Sequence, residues 1–257
     1  MHIAVVLRIV PDLSEDLDIA ESGTEIDREW VGLKLNEFDD HALEEAVLIK
    51  ESSGARVTAI AFAGDGAERQ LQTAIARGAD DALLIEHDIE VVISARMAAH
   101  LLAQALPDLG ATVVLTGVQT SEDVYGQLAP FLAGALNWPT VNAVHGVAVD
   151  GGDLLVTQEY SGGFSAQFVV SGSVVLGVQT ASKPLRYVSG SKLRQASGTV
   201  IAKVSAALPA DMVRAETDAL ERPQHGASAE MIAGDAAAVA KKIVAVLAER
   251  GLLGASA

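Results

Sequence analysis

The chain has 257 residues, of which 50% are hydrophobic and 20% charged, enough apolar content for one large or two modest domains with a proper core and too much for a disordered chain. Lys and Arg number 18 against 34 Asp and Glu, so the formal charge of −16 disfavours nucleic acid and anionic membrane surfaces as partners. With no cysteine, disulfides, thiolate catalysis, iron–sulfur clusters and thiolate zinc sites are excluded, and a reducing cytoplasmic setting is compatible.

Met1 to Arg8 is apolar but too short for a signal segment, and Arg8 and Pro11 interrupt it. It reads as a first strand over Ile3 to Val10, buried on both faces. No later stretch has the length of a membrane span without a charge or a glycine-rich break, so a soluble protein is expected. Asp12 to Asp27 is acidic and predicts a surface loop or hairpin that returns the chain towards Leu35. Asp39 to Glu51 places Ala42, Ala46 and Ile49 at helical spacing, with acids in the first turns and Lys50 in the last. Arg56 to Ala63 predicts a second buried strand, Ala67 to Ala76 a helix stopped by Gly78, and Ala82 to Ile85 a third strand. A helix over Val91 to Leu106, a turn over Pro107 to Gly110 and a strand over Thr112 to Thr116 follow. Four strands alternating with helices imply a parallel sheet with right-handed crossovers.

Beyond Trp138-Pro139 the texture changes to short segments parted by glycines. Val144 to Val149, Leu154 to Thr157, Ala166 to Val170 and Ser173 to Val178 read as added strands, several of them antiparallel. Thr180 to Thr199 and Ala206 to Ser228 lack strong periodicity. The last helix, Asp235 to Glu249, carries an apolar stripe of Val239, Ile243, Val246 and Leu247, which suits docking on another subunit as well as an intramolecular site. No internal repeat is present.

Gly64-Asp-Gly66 follows a strand and opens a helix, but Arg69 stands where a dinucleotide fingerprint needs a small residue, so a tight turn is the favoured reading. Gly117 to Gln127 follows the fourth strand and precedes a helix with Leu128, Leu132 and Leu136 on one face. That is the carboxyl-edge crevice of an open α/β sheet, and amides from Gly126 to Ala129 would favour a phosphate. Against this stand the charges of Glu122 and Asp123, and Ser121 or Asp123 serves equally well as a helix cap. His2, His41, His87, His100, His145 and His225 show no paired metal spacing, and no GxSxG elbow is present. The Ser-Gly-Ser runs at Ser171 and Ser189 read as turns, and Trp30 and Trp138 as packing residues. No catalytic residue and no metal ligand are assigned.

The segment Leu35-Asn-Glu-Phe-Asp-Asp-His-Ala42 with the helix to Glu51 closely resembles the corresponding segment of the electron-transfer flavoprotein β subunit. The resemblance continues at Arg8-Ile-Val-Pro-Asp12, Thr73 to Asp80, Thr116-Gly-Val-Gln119, Gln127 through Pro139, Gln158 to Gly163 and Pro184-Leu-Arg-Tyr187, in family order. It implies an α/β fold: a parallel doubly wound sheet of the adenine-nucleotide-binding type over 1–205, extended by antiparallel strands, with a C-terminal arm and helix over 206–257 packing on an α subunit. It also implies a heterodimeric carrier between flavin dehydrogenases, such as acyl-CoA dehydrogenases of fatty acid oxidation, and a membrane quinone reductase. The redox FAD would be shared with the α subunit, and this chain would hold AMP or a second FAD. Carried over by residue, Val6, Asn36, Phe38, Asp39 and Phe62 would surround base and ribose. Gly117, Gln119, Glu122, Asp123, Tyr125, Gly126, Gln127 and Leu128 would hold the remainder, with phosphate near Gln127. Pro184, Leu185, Arg186, Tyr187 and Gly190 would form the partner-docking loop. Glu37 replaces a usual proline, Leu128 a hydroxyl residue, Ala129 a glycine, Gln158 a basic residue and Ser173 a proline. Gly190 takes the place of a leucine anchor, and the lysine cluster after it is reduced to Lys192, Arg194 and Lys203. The alternative is a stand-alone nucleotide-binding regulatory module of the same fold, which fold alone does not separate from the carrier.

Overall fold

The structure, a computed structural model, describes residues 1–257 apart from 16, 30, 90–91, 124, 214–216, 223–228 and 254–257; Trp30 and His225 lie outside the described residues. In chain order the elements are β1 (His2–Val6), β2 (Ile9–Pro11), β3 (Leu33–Leu35), α1 (Glu37–Ser53), β4 (Arg56–Phe62), α2 (Ala67–Arg77), β5 (Asp81–Glu86), α3 (Ala95–Leu109) and β6 (Val113–Gly117). They continue as α4 (Leu128–Leu136), β7 (Thr140–Asp150), β8 (Asp153–Glu159), a single 3-10 turn at Ser161–Gly163, β9 (Ser165–Val170), β10 (Val174–Val178), α5 (Gly190–Ala196), β11 (Ala202–Ser205) and α6 (Ala236–Glu249).

Nine described strands form one sheet in the order β11-β5-β4-β1-β6-β10-β7-β8-β9. All neighbours from β11 to β7 run parallel, and β7-β8 and β8-β9 are antiparallel. The fold is therefore α/β, with a parallel centre extended by antiparallel strands. The central strands β1, β6 and β10 are apolar on both faces because helices cover both. Leu43, Ala46, Leu71 and Ala74 of α1 and α2 close one core; Leu101, Leu102, Leu128 and Leu132 of α3 and α4 close the other. From β1 the chain winds outward to β4 and β5, then returns across β1 to β6. The gap between β1 and β6 is thus the topological switch point, where such sheets open a crevice.

The first predicted strand divides in two. The amide of Leu7 still bonds Ile60 O at 2.8 Å, but that of Arg8 turns to the Asp39 carboxylate at 2.9 Å, and β2 then pairs antiparallel with β3. Helix α1 begins two residues before its predicted start, and α3 runs from Ala95, capped by the Ser94 side chain, through Pro107 to Gly110 at φ 67°. Val91, its predicted start, lies outside the described residues. Two elements were not expected. Within the irregular stretch, α5 is capped by Ser189, which therefore starts a helix rather than a plain turn, and β11 adds a parallel edge to β5. Strand β10 joins the parallel centre between β6 and β7 instead of the antiparallel extension.

Helix α1 departs most from simple amphipathicity. Ala42, Ala46 and Ile49 are buried as their spacing requires, and so are Asp39, Glu44 and Glu45. Each buried acid is satisfied: Glu45 accepts from the amides of Val147 and Ser182 at 2.6 and 2.7 Å, and Glu44 from Arg186 at 2.9 Å. Buried carboxylates persist only with such partners. The chain beyond β11 runs back to the acidic excursion, where Leu220 N bonds Gly23 O at 2.8 Å and Arg222 pairs with Asp18. Helix α6, begun by an Asp235 cap, has no buried residue.

Candidate functional site

A cavity of about 400 Å³ opens at the carboxyl ends of β1, β4, β5 and β6, within the size range of small-molecule pockets. Leu7 and Arg8 come from the end of β1; Phe62, Ala63 and Gly64 from that of β4; His87, Ile89 and Ile93 from beyond β5. Thr120, Glu122, Asp123 and Leu128 follow β6, and Glu25, Arg28 and Leu33 of the excursion supply the remaining wall. The apolar side is Phe62, Ile89, Val92, Ile93 and Leu128. The polar side is mostly acidic, with Glu25, Asp65, Glu122 and Asp123 against Arg8 and Arg28.

Beside the cavity lies an interlocked hub. Asp39 is fully buried and accepts from Arg8 N and Nε at 2.9 Å each, Arg8 Nη2 at 2.8 Å and Gly117 N at 2.6 Å. Arg8 Nη2 also donates to Gly117 O at 2.9 Å, and Asn36 Nδ2 to Gln119 O at 2.9 Å. The start of α1 thereby fixes the path of the chain leaving β6. Gly117 has no room for a side chain, since a Cβ would lie 2.5 Å from Asp39 Oδ1. Gly126 sits at φ 63° with Val118 O only 2.6 Å from where a Cβ would stand. The loop after β6 is held by Asp123, whose amide donates to Thr120 Oγ1 at 2.8 Å and whose Oδ2 accepts from Gln127 N at 3.0 Å. The His87 ring lies between Ala63 O, 3.1 Å from Nε2, and Ile89 N, which donates to Nδ1 at 3.2 Å.

Of the residues singled out from the sequence, Phe62, Glu122, Asp123 and Leu128 line the cavity. Asn36, Asp39, Gly117, Gln119 and Gly126 belong to the surrounding scaffold. Val6 is buried in the core, Phe38 is half-buried, Gln127 is exposed at the start of α4, and Tyr125 projects into solvent with 89% exposure. Gly64, read from the sequence as part of a tight strand-to-helix turn, lines the cavity too. Sequence reasoning missed Arg28, Glu25 and the wall of His87, Ile89, Val92 and Ile93, because nothing local marks these segments as a cover for the sheet edge.

The docking-loop residues separate. Pro184, Leu185, Tyr187 and Gly190 are exposed, Tyr187 by 92%. Arg186 instead turns inward, its side chain 26% exposed, and grips Glu44 and Glu51 of α1. Burial alone would raise the Glu44 pKa, but hydrogen bonds from Arg186 and the charges of Arg186 and Arg77 outweigh it and hold the carboxyl below its ordinary value. Hydrogen bonds to Glu51 and Glu44 raise that of Arg186. Among the described residues no cluster of acidic or histidine side chains could hold a metal ion, and no helix is long and apolar enough to cross a membrane.

The family model "Electron transfer flavoprotein domain" matches residues 24–208. The electron transfer flavoprotein subunit beta of Methylophilus methylotrophus is 30% identical over 266 residues, covering 97% of this chain and 98% of that one. That of Clostridium acetobutylicum is 32% identical over 75% and 74% of the two chains, and that of Bacillus subtilis 29% identical over 63% of each.

Proposed function

Because the chain belongs to the electron transfer flavoprotein β-subunit family, we propose that it forms the β half of a heterodimer accepting electrons from flavin dehydrogenases, such as acyl-CoA dehydrogenases, and passing them to a quinone reductase. The observation that carries this reading is the cavity at the switch point, with an apolar wall on one side and polar groups on the other. The proposed ligand is AMP or a second FAD. Phe62, Ile93 and Leu128 would contact the base, and Thr120 and the groups around Asp123 would face ribose and phosphate. Asn36, Asp39 and Gly117 would keep that loop in place, and Val6 would support the floor.

The redox chemistry of such a carrier is supplied by flavin shared with the α subunit; the protein contributes position, water exclusion and local charge. The Arg8–Asp39 hub serves this role by holding the sheet edge rigid. For the partner, residues 206–257 act as an arm: of the stripe of Val239, Ile243, Val246 and Leu247 on α6, Ile243 is exposed and the other three are only half-buried within their own chain, which supports an α subunit as its cover. Tyr187 and Leu185 are the exposed groups through which a donor would dock, with Arg186 fixing the loop behind them. The cytoplasm is the proposed compartment.

The test is denaturing release and mass identification of nucleotide from the chain purified alone and with its α subunit. AMP in the chain alone and FAD in addition from the pair are expected for a simple carrier. FAD released from the chain alone identifies it as the second flavin, and absence of nucleotide from both samples refutes the site.

A further inference from the structure

The cavity holds an imbalance of charge that bears on how a phosphate enters it, a question that rests on the nucleotide reading above. Of its two arginines, Arg8 is saturated by Asp39 and by the carbonyls of Gly117 and Gln119. The amide of Gln127, just before α4, is taken by Asp123 Oδ2 at 3.0 Å. A carboxylate of the chain itself thus stands beside the N-terminal end of α4 and competes there with an incoming anion. Arg28 differs. Among the described residues its one ionic partner is Glu122, and the two side chains are 39% and 24% exposed. This pair joins the excursion to the loop after β6, and both residues line the cavity. Glu25, Asp65 and Asp123 line the same space, so an anion enters a negative field unless it captures a cation.

We propose that Arg28 is the phosphate-binding residue of this cavity and that Glu122 is its internal competitor, so that a phosphorylated nucleoside binds by exchanging its phosphate for the Glu122 carboxylate. An exposed ion pair is worth little, whereas a guanidinium meets a phosphate with two parallel charge-assisted hydrogen bonds. Glu122 can swing into solvent because it is already partly exposed. The apolar wall supplies affinity for the nucleoside in either state, and the arginine supplies selectivity for the phosphate.

The experiment uses the nucleotide-stripped heterodimer and titrates it calorimetrically with adenosine, AMP and FAD. In Arg28→Gln, AMP affinity is expected to fall roughly 10- to 100-fold, as for loss of a charge-assisted bond, with adenosine nearly unchanged. In Glu122→Gln, AMP affinity is expected to rise about 5-fold and adenosine to stay level. Arg28→Lys, which keeps the charge and loses the fork, is expected to fall between. AMP bound equally by wild type and Arg28→Gln, or adenosine and AMP weakened alike, would overturn the proposal while leaving the nucleotide site intact. Wild type that binds adenosine, AMP and FAD not at all would refute the site itself and this inference with it. FAD following AMP across the variants would extend the same contact to a dinucleotide; FAD indifferent to Arg28 would restrict it to the mononucleotide.

Discussion

Arg186→Met removes one charge while keeping the length and apolar stem of the side chain. In the wild type, Arg186 Nε lies 2.9 and 3.0 Å from the two oxygens of Glu44, and Nη1 lies 2.7 Å from Glu51. The Glu44 side chain is only 3% exposed, so its carboxylate would keep just Arg77 Nη2 at 3.4 Å and the Arg186 amide at 3.1 Å. Breaking a fully buried pair costs about 3–5 kcal/mol. With Arg186 a quarter exposed and Arg77 still near, about 2–3 kcal/mol is expected, read by urea unfolding at pH 7. The pH dependence gives the sign. Glu44 is held below its ordinary value of 4.5 in the folded wild type, so its stabilising contribution is complete above that value and fades as pH falls through the folded one. In the variant, burial is opposed only by the Arg186 amide and Arg77 and so raises that pKa above its wild-type position; acid then neutralises the carboxylate more readily and the deficit shrinks between pH 7 and pH 5. Arg186→Met with Glu44→Gln should recover at least half of the loss. A deficit below about 0.5 kcal/mol at pH 7, or one equal at both pH values and in the double variant, would refute the argument from the buried charge.

Asp39→Asn leaves the Arg8 guanidinium buried without its counter-charge and should cost about 3 kcal/mol, with faster amide exchange at Gly117 as the local signature. Gly126→Ala forces a Cβ to within 2.6 Å of Val118 O at positive φ; a loss of about 1–2 kcal/mol from the backbone alone and a drop in copurifying nucleotide are expected. Deleting residues 229–257 should change unfolding of the isolated chain by less than about 1 kcal/mol, because no residue of α6 is buried, yet abolish coelution with the α subunit.

The parallel centre is legible in the sequence because its strands are buried on both faces. Ile3 to Val6, Val57 to Ala61 and Val113 to Thr116 are unbroken small or apolar runs, and α2 carries a regular stripe ending at Gly78. Strand β11 is four residues at an edge, three of them exposed, and α5 is seven residues long, so neither produces a period to detect. The acids of α1 escape for another reason: periodicity assigns Glu44 and Glu45 to the wet face, and only the distant amides of Val147, Ser182 and Arg186 make their burial tolerable. The site was legible in the same proportion. Residues adjoining strand ends, such as Phe62 and Leu128, are placed by the fold itself. Arg28 reaches the cavity through a long excursion whose path no local pattern encodes.

The sheet ends differently on its two sides. Strand β11 is short, and Lys203 upon it is occupied by Glu68 at 2.8 Å, which makes that border a poor template for another strand. Strand β9 is six residues long, with Val169 71% exposed and Phe168 39% exposed, and Phe164 just before it. Such a border invites a second chain to continue the ladder, and the −16 charge opposes that only at a distance that salt shortens. Production of the chain by itself should therefore yield self-associated material whose fraction grows with ionic strength.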